Sequence, residues 1–213
     1  MNDPSLVEQL EQILEGHLDA SDGSHDLHHA RRVLENAREM VKRAGSGNLR
    51  FLTAAAYLHD LVNVPKDSHE RDQASRLSAE AAGPILSELG FEADEIEAVH
   101  HMIIAHSFSA GVEPLTLDAQ ILQDADRLEA LGALGIARTF YTAGKMSSQL
   151  FDGDDPFGNE RELNDRRFAV DHFKVKLLGL AETMKTEVGR EVAGERKAFM
   201  ERFLEELAGE IGA

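Results

Sequence analysis

Apolar residues recur along most of the chain at the three- and four-residue spacing of amphipathic helices, and runs of β-branched residues are scarce. The spacing predicts a first helix around Val7, Leu10, Ile13 and Leu14. A second is predicted to begin after an N-cap at Asp26 and to end before the glycines of residues 45–47. Further helices are expected over residues 48–61, 71–89, 92–105 and 116–137, the last interrupted near its glycines.

The pattern changes after residue 145. Residues 145–166 are rich in Gly, Ser and Asp, which favours a long surface loop that is mobile until a ligand orders it. Helical spacing returns over residues 164–185 and 186–210. These elements predict an all-α bundle of about eight helices forming a single domain over residues 1–213.

The amino-acid composition limits the kind of metal site and the cellular location that we expect. The chain of 213 residues holds no cysteine, so a metal site must use nitrogen and oxygen ligands. It shows no apolar run of about 18 residues and no secretory signal at its start. A cytoplasmic protein with no membrane contact, either a monomer or a homodimer, is therefore the expectation.

The net charge limits the classes of molecule that the protein is expected to bind. The net charge is −17, so most of the surface should repel duplex nucleic acid. A small anionic substrate remains compatible with this charge if a bound cation and a few basic side chains reverse the field in one pocket.

Three motifs supply groups suited to such a cation. His29 lies in the first, His59 and Asp60 are adjacent in the second, and Asp126 lies in the third. Taken singly, each motif has a simpler structural explanation: a surface or capping histidine for His29, a buried structural histidine for His59 with Asp60 as a cap, and a solvated helix face for Asp126. Together they offer two imidazoles and two carboxylates, a set that suits a divalent ion able to activate water.

The order and flanking residues of these motifs resemble the HD superfamily of metal-dependent phosphohydrolases. The resemblance implies the HD-domain fold, with an HD core at about residues 24–140 and C-terminal helices at about 164–210 completing the pocket. It also implies that the metal ligands are His29, His59, Asp60 and Asp126, with His25 and Asp124 in supporting positions. By ligand softness, Mn²⁺ is the preferred ion, with Mg²⁺, Fe²⁺ and Zn²⁺ as alternatives.

The same resemblance extends to a small bacterial subgroup that includes nucleoside triphosphate pyrophosphohydrolases. It implies that a set of basic residues holds the substrate phosphates: Arg32, Lys66, His106, Arg127, His172 and Lys176. Asp60, His106 and Arg127 are the predicted catalytic residues, with Asp60 orienting the attacking water. Some HD enzymes bind a second metal near the position of His106, and we favour an acid or phosphate contact there instead.

The sequence therefore predicts a phosphohydrolase that acts on a nucleotide, cleaving a nucleoside triphosphate to monophosphate and pyrophosphate. A phosphomonoesterase or cyclic-nucleotide phosphodiesterase using the same site is the alternative enzyme. A non-catalytic HD module that senses nucleotides is the alternative of a different class.

Overall fold

The structure, a computed structural model, describes residues 4–17, 27–62, 73–107 and 109–213. Within these ranges the chain is all-α, with eight α-helices and no β-sheet. The helices are α1 (Pro4–His17), α2 (Leu27–Ala44), α3 (Leu49–Leu58), α4 (Ala74–Glu88), α5 (Ala93–His106), α6 (Leu117–Arg127), α7 (Gly132–Lys145) and α8 (Glu187–Ile211). The predicted fold class is confirmed. The predicted cap Asp26 and phosphate contact Lys66 lie outside the described residues.

The chain divides into two compact units, residues 1–126 and 127–213. In the first unit, α3 forms the centre and packs against α1, α2, α4 and α5. Its residues from Leu52 to Leu58 are all buried, which only a helix surrounded on every side can accommodate. The Asn48 side chain caps α3 by accepting hydrogen bonds from the backbone N–H groups of Arg50 and Phe51.

The helix ends of the first unit largely follow local sequence. Helix α5 begins with a capping box in which Glu92 and Glu95 exchange side-chain and backbone hydrogen bonds. Helix α4 ends at Glu88, and Gly90, two residues later, terminates it in the left-handed conformation with a φ of 74°. Helix α3 is shorter than predicted, because His59 already occupies its C-cap position.

The second unit is built on α7 and α8, which pack against each other. Phe140, Phe173 and Phe203 form an aromatic cluster in this unit, with ring centroids 6.0 to 6.1 Å apart. Thr186 caps α8 by accepting a hydrogen bond from Gly189 N–H. Among the described residues, none of the helices combines the length and the apolar run needed to span a bilayer.

The continuous helix predicted over residues 164–185 is wrong. The segment instead contains turns, a short π-helical stretch at Phe173–Leu177 and a 3₁₀ turn at Ala181–Thr183. Asp171 accounts for the break. Its buried carboxylate accepts hydrogen bonds from the Arg161 guanidinium and the Asn164 backbone N–H, which hold the chain in turns.

The loop predicted at residues 145–166 is present, and it has its own hydrogen-bonded structure. The Asp155 carboxylate accepts bonds from the backbone N–H groups of Asn159, Glu160 and Arg161. Lys174 Nζ donates to the carbonyl of Phe157 at 2.6 Å. These bonds are at odds with the prediction that the loop is mobile until a ligand binds.

Candidate metal centre

Four side chains from three helices meet in the first unit. His29 lies in the first turn of α2, His59 caps the end of α3, Asp60 follows it, and Asp126 lies in the last turn of α6. His106, the last residue of α5, joins them. Helices α3, α5 and α6 thus all end at the cluster, and the partial negative charge of helix C-termini favours a cation there.

The ligand-type atoms of these residues converge closely. The Nε2 atoms of His29 and His59 are 3.2 Å apart. Asp60 Oδ2 lies 3.3 Å from His59 Nε2 and 4.0 Å from His29 Nε2. Asp126 Oδ1 lies 3.4 Å from His29 Nε2 and 4.0 Å from His59 Nε2.

These spacings fit ligands of a single ion. Metal–ligand bonds of about 2.1 Å hold adjacent ligand atoms about 3.0 Å apart and opposite ones about 4.2 Å apart in octahedral geometry. The five measured separations, between 3.2 and 4.0 Å, fall inside that range. Two overlapping groups could each hold a metal ion, one of His29, His59 and Asp126 and the other of His59, Asp60 and His106, so the imidazole and carboxylate cluster fits a divalent metal site.

The ring orientations support the same interpretation. His59 Nδ1 donates to the Ala56 carbonyl at 2.9 Å, because a carbonyl can only accept. In the neutral ring, Nε2 then carries a lone pair that points at His29 Nε2. A cation between the two nitrogens would use both lone pairs, and the backbone bond would fix the His59 ring as second partners of metal-bound histidines do.

The carboxylates are held in their charged form. Burial tends to raise the pKa of Asp60, but the neighbouring His59 and His106 lower it well below its ordinary value. Burial likewise opposes ionisation of Asp126, but the His29 hydrogen bond and the nearby His29, His59 and His106 together outweigh it and lower the pKa of this carboxyl. Both side chains are partly exposed, with 35% and 29% of their surfaces accessible, so solvent or a substrate can reach the cluster.

His106 is buried beside Asp60. Its Nε2 lies 3.6 Å from Asp60 Oδ1, and its Nδ1 donates to the Ile103 carbonyl at 2.5 Å. Burial lowers its pKa, but the contact with Asp60 dominates and raises it. Asp60 thus turns one oxygen toward the two histidines of the cluster and the other toward His106.

Other predicted site residues have partners of their own. Arg127 donates to the Thr183 carbonyl at 2.9 Å and to its hydroxyl at 3.1 Å. His172 Nδ1 lies 2.9 Å from Asp165 Oδ2, and Lys176 is exposed on the π-helical stretch. Arg32 is half-buried on α2, three residues after His29. Their roles in substrate binding stay predictions.

A hydrogen-bonded group of Glu11, Arg31 and Tyr57 lies beside the cluster, and no sequence motif predicted it. Glu11 on α1 accepts two bonds from Arg31, at 2.7 and 2.8 Å, and one from the Tyr57 hydroxyl at 2.8 Å. Arg31 and Tyr57 each lie two residues from a histidine of the cluster, so this group ties α1 to α2 and α3 next to it. Burial and the Glu11 hydrogen bond raise the pKa of Tyr57, so its hydroxyl remains a donor.

Comparison with known proteins agrees with this geometry. Residues 26–131 match the HD domain family. The YpgQ protein of Bacillus subtilis (strain 168) is 32% identical over 215 residues, covering 99% of this chain and 96% of YpgQ.

Solved structures give the same relationship. The crystal structure of Bacillus subtilis YpgQ in complex with ADP has a TM-score of 0.75 at 29% identity, covering 98% of both chains. An HD-superfamily hydrolase from Bacillus thuringiensis has a TM-score of 0.76 at 30% identity, again covering 98% of both chains. With its imidazole and carboxylate cluster in the matched region, the chain belongs to the HD superfamily of metal-dependent phosphohydrolases.

Proposed function

We propose that this enzyme hydrolyses a nucleotide, with a nucleoside triphosphate cleaved to monophosphate and pyrophosphate. The cluster of His29, His59, Asp60 and Asp126 carries the proposal, because these side chains suit a divalent ion and leave an open face for a phosphate. That the related YpgQ was crystallised with ADP supports a nucleotide as the ligand class.

The four ligand side chains would hold Mn²⁺ in preference to Mg²⁺, because two imidazoles favour the softer ion. A bound ion of this kind would supply a Lewis acid for the phosphate and lower the pKa of an attacking water. The carboxylate of Asp60 would accept a hydrogen bond from that water and orient it toward phosphorus. Asp126 and His29 would complete the set of ligands that binds the ion.

His106 is suited to proton transfer in this scheme. Its Nε2 faces Asp60 Oδ1 at 3.6 Å, and its ring is anchored through Nδ1 to the Ile103 carbonyl. A ring held in this way can give a proton to a phosphate oxygen or leaving group and recover one by way of Asp60. Arg32, Arg127, His172 and Lys176 would neutralise the charge of the remaining phosphates.

A panel of substrates and metals tests the reaction. Nucleoside triphosphates, ADP, cyclic nucleotides and an aryl phosphate are incubated with Mn²⁺, Mg²⁺, Fe²⁺ or Zn²⁺, and the products are separated by ion exchange. We expect monophosphate and pyrophosphate in equal amounts from a triphosphate, fastest with Mn²⁺. Orthophosphate as the first product would contradict the proposal and indicate a phosphomonoesterase. Nucleotide binding without any product would indicate a nucleotide sensor.

The phosphate contacts need a separate measurement, because Arg127 also bonds to Thr183. Lys176→Ala should raise KM for a triphosphate about tenfold and leave an aryl phosphate nearly unchanged, since only the triphosphate carries the extra charges. Lys42→Ala, which removes an exposed lysine from α2, is the matched control. An equal rise in KM for both substrates would show that Lys176 does not bind the additional phosphates of the triphosphate.

A further inference from the structure

Side-chain hydrogen bonds connect α6 to the neighbouring helices of the first unit. Near its start, Asp118 Oδ1 accepts from the Asn48 backbone N–H at 2.8 Å. Near its end, Asn36 Nδ2 on α2 donates to the Ala125 carbonyl at 3.0 Å. Between them, Gln123 Nε2 donates to the Ala105 carbonyl on α5 at 2.6 Å. The last two bonds connect the end of α6 that carries Asp126 to α2 and to α5.

Gln123 joins the end of α5 to the face of α6 that carries Asp126. The carbonyl it contacts belongs to the residue directly before His106, in the last turn of α5. The chain leaves the helix at Ser107, so carbonyls in this turn lack helical partners and accept from elsewhere. Gln123 and Asp126 are three residues apart and therefore share one face of α6.

Asn36 provides the corresponding bond on the other side. It lies seven residues after His29 on α2, two turns along the same face. The Ala125 carbonyl it contacts directly precedes Asp126. The backbone on which Asp126 stands is thus bonded to the helix that carries His29.

These bonds matter because Asp126 is not positioned by sequence neighbours. Asp60 follows His59 directly, whereas Asp126 comes about a hundred residues after His29 and depends on the placement of α6. A slip of α6 by one residue would move Asp126 about 1.5 Å along the helix axis. Metal–ligand distances tolerate only about 0.2 Å.

The amide of Gln123 is buried and uses only its donor. The side chain is 3% exposed, and its Oε1 is buried with no hydrogen-bond partner. A buried unsatisfied oxygen costs free energy that an apolar side chain of the same length would avoid. We therefore propose that Gln123 and Asn36 are positioning residues that hold Asp126 and His106 at ion-binding distance. The inference rests on the metal site of the proposed function and not on its substrate.

The test compares Mn²⁺ affinity in variants of matched shape. Gln123→Met and Asn36→Leu remove the amide donors, and isothermal titration of metal-free protein measures binding. We expect each to bind Mn²⁺ about tenfold more weakly or worse, as when supporting bonds of other metal sites are removed. Gln120→Met is the control, because Gln120 on α6 also donates to a carbonyl, that of Pro114, but away from the cluster. It should bind Mn²⁺ as the unchanged protein does.

Thermal unfolding without metal separates positioning from stability. Variants that melt at lower temperature but keep the original Mn²⁺ affinity would overturn the inference, as would affinity loss equal to that of Gln120→Met. If Gln123→Met does not fold, the partly buried Asn36→Leu decides by the same criteria. An unchanged protein that binds neither Mn²⁺ nor Co²⁺ would instead overturn the metal site on which the proposed function rests.

Discussion

His28 and His29 are neighbours in sequence and have opposite surroundings. His28 is exposed on α2, while His29 is buried with its Nε2 3.2 Å from His59 and 3.4 Å from Asp126. Successive helical residues point about 100° apart, so only one of the two can face the cluster. The pair offers two identical side chains in one turn, only one of which reaches the candidate ion.

His29→Ala should reduce Mn²⁺ affinity at least about a hundredfold and abolish turnover, because one of four ligands is lost. His28→Ala should leave both unchanged. Elemental analysis after dialysis, together with circular dichroism to confirm the helical fold, checks this. Metal retained at one ion per chain in His29→Ala would contradict the ligand assignment.

His100 is a histidine of a different kind, on α5 away from the cluster. Its Nε2 is buried without a hydrogen-bond partner, and a Cβ at Gly83 would lie 3.3 Å from it. Burial lowers its pKa, and this outweighs the opposing effect of the nearby carboxylates of Glu80 on α4 and Glu97 on α5. The folded state therefore favours the neutral form of this ring.

The stability of the protein should decrease as the pH is lowered, in part because of His100. A lowered folded-state pKa means that the unfolded chain binds the proton first, so the free energy of unfolding decreases as pH drops below about 6.5. The contribution of one such group is at most about 1.4 kcal/mol per pH unit. Urea unfolding of the protein and of His100→Gln between pH 5 and pH 8 measures the difference. Parallel stability curves for the two proteins would rule out this role.

Among the helices, sequence patterns were sufficient to predict position wherever a helix buries one continuous face. Helices α1, α2, α5 and α8 appear close to their predicted positions, since each has regular apolar spacing, and observed caps at Glu92 and Thr186 mark the starts of α5 and α8. Residues 164–185 have the same apolar spacing, from Phe168 to Leu177, but Asp171 bonds to groups seven and ten positions earlier. Such a bond between distant polar side chains leaves no periodic trace in the sequence.

In the candidate site, too, some residues could be predicted from the sequence and others could not. Its imidazole and carboxylate residues were predictable because their types and order are unusual together, and the structure brings them to one place. Gln123 and Asn36 were not predictable. Each acts through one hydrogen bond to a distant carbonyl, and amides are common on helix surfaces.

The loop of residues 145–166 should resist proteolysis even without ligand. Asp155 organises it by accepting three backbone N–H bonds, which also lower the pKa of its carboxyl. Asp155→Ala should expose the arginines at 161, 166 and 167 to trypsin and speed cleavage about tenfold, because the local structure opens more often. Asp154→Ala, one residue earlier and exposed, is the control. Rapid cleavage of the unchanged protein would restore the earlier expectation of a mobile loop.

At the scale of the whole molecule, the net charge of −17 contrasts with the substrate we propose. A nucleoside triphosphate is itself a polyanion, so long-range forces should slow its approach, and short-range binding must compensate. A bound divalent ion with a few arginines and lysines can provide this locally. The same charge leads us to expect no binding to duplex nucleic acid.

The facing nitrogens of His29 and His59 have a consequence for a chain that contains no cysteine. An ion held there would be a reversible cross-link, closing one loop of 30 positions and, through Asp126, another of about a hundred. Folding would then be linked to metal supply. At a free concentration of one hundred times Kd, the ion would add about 2.7 kcal/mol to the free energy of unfolding. A chelator should lower the melting temperature of the protein but not that of His59→Ala, so the stability of the enzyme would follow the free concentration of the metal.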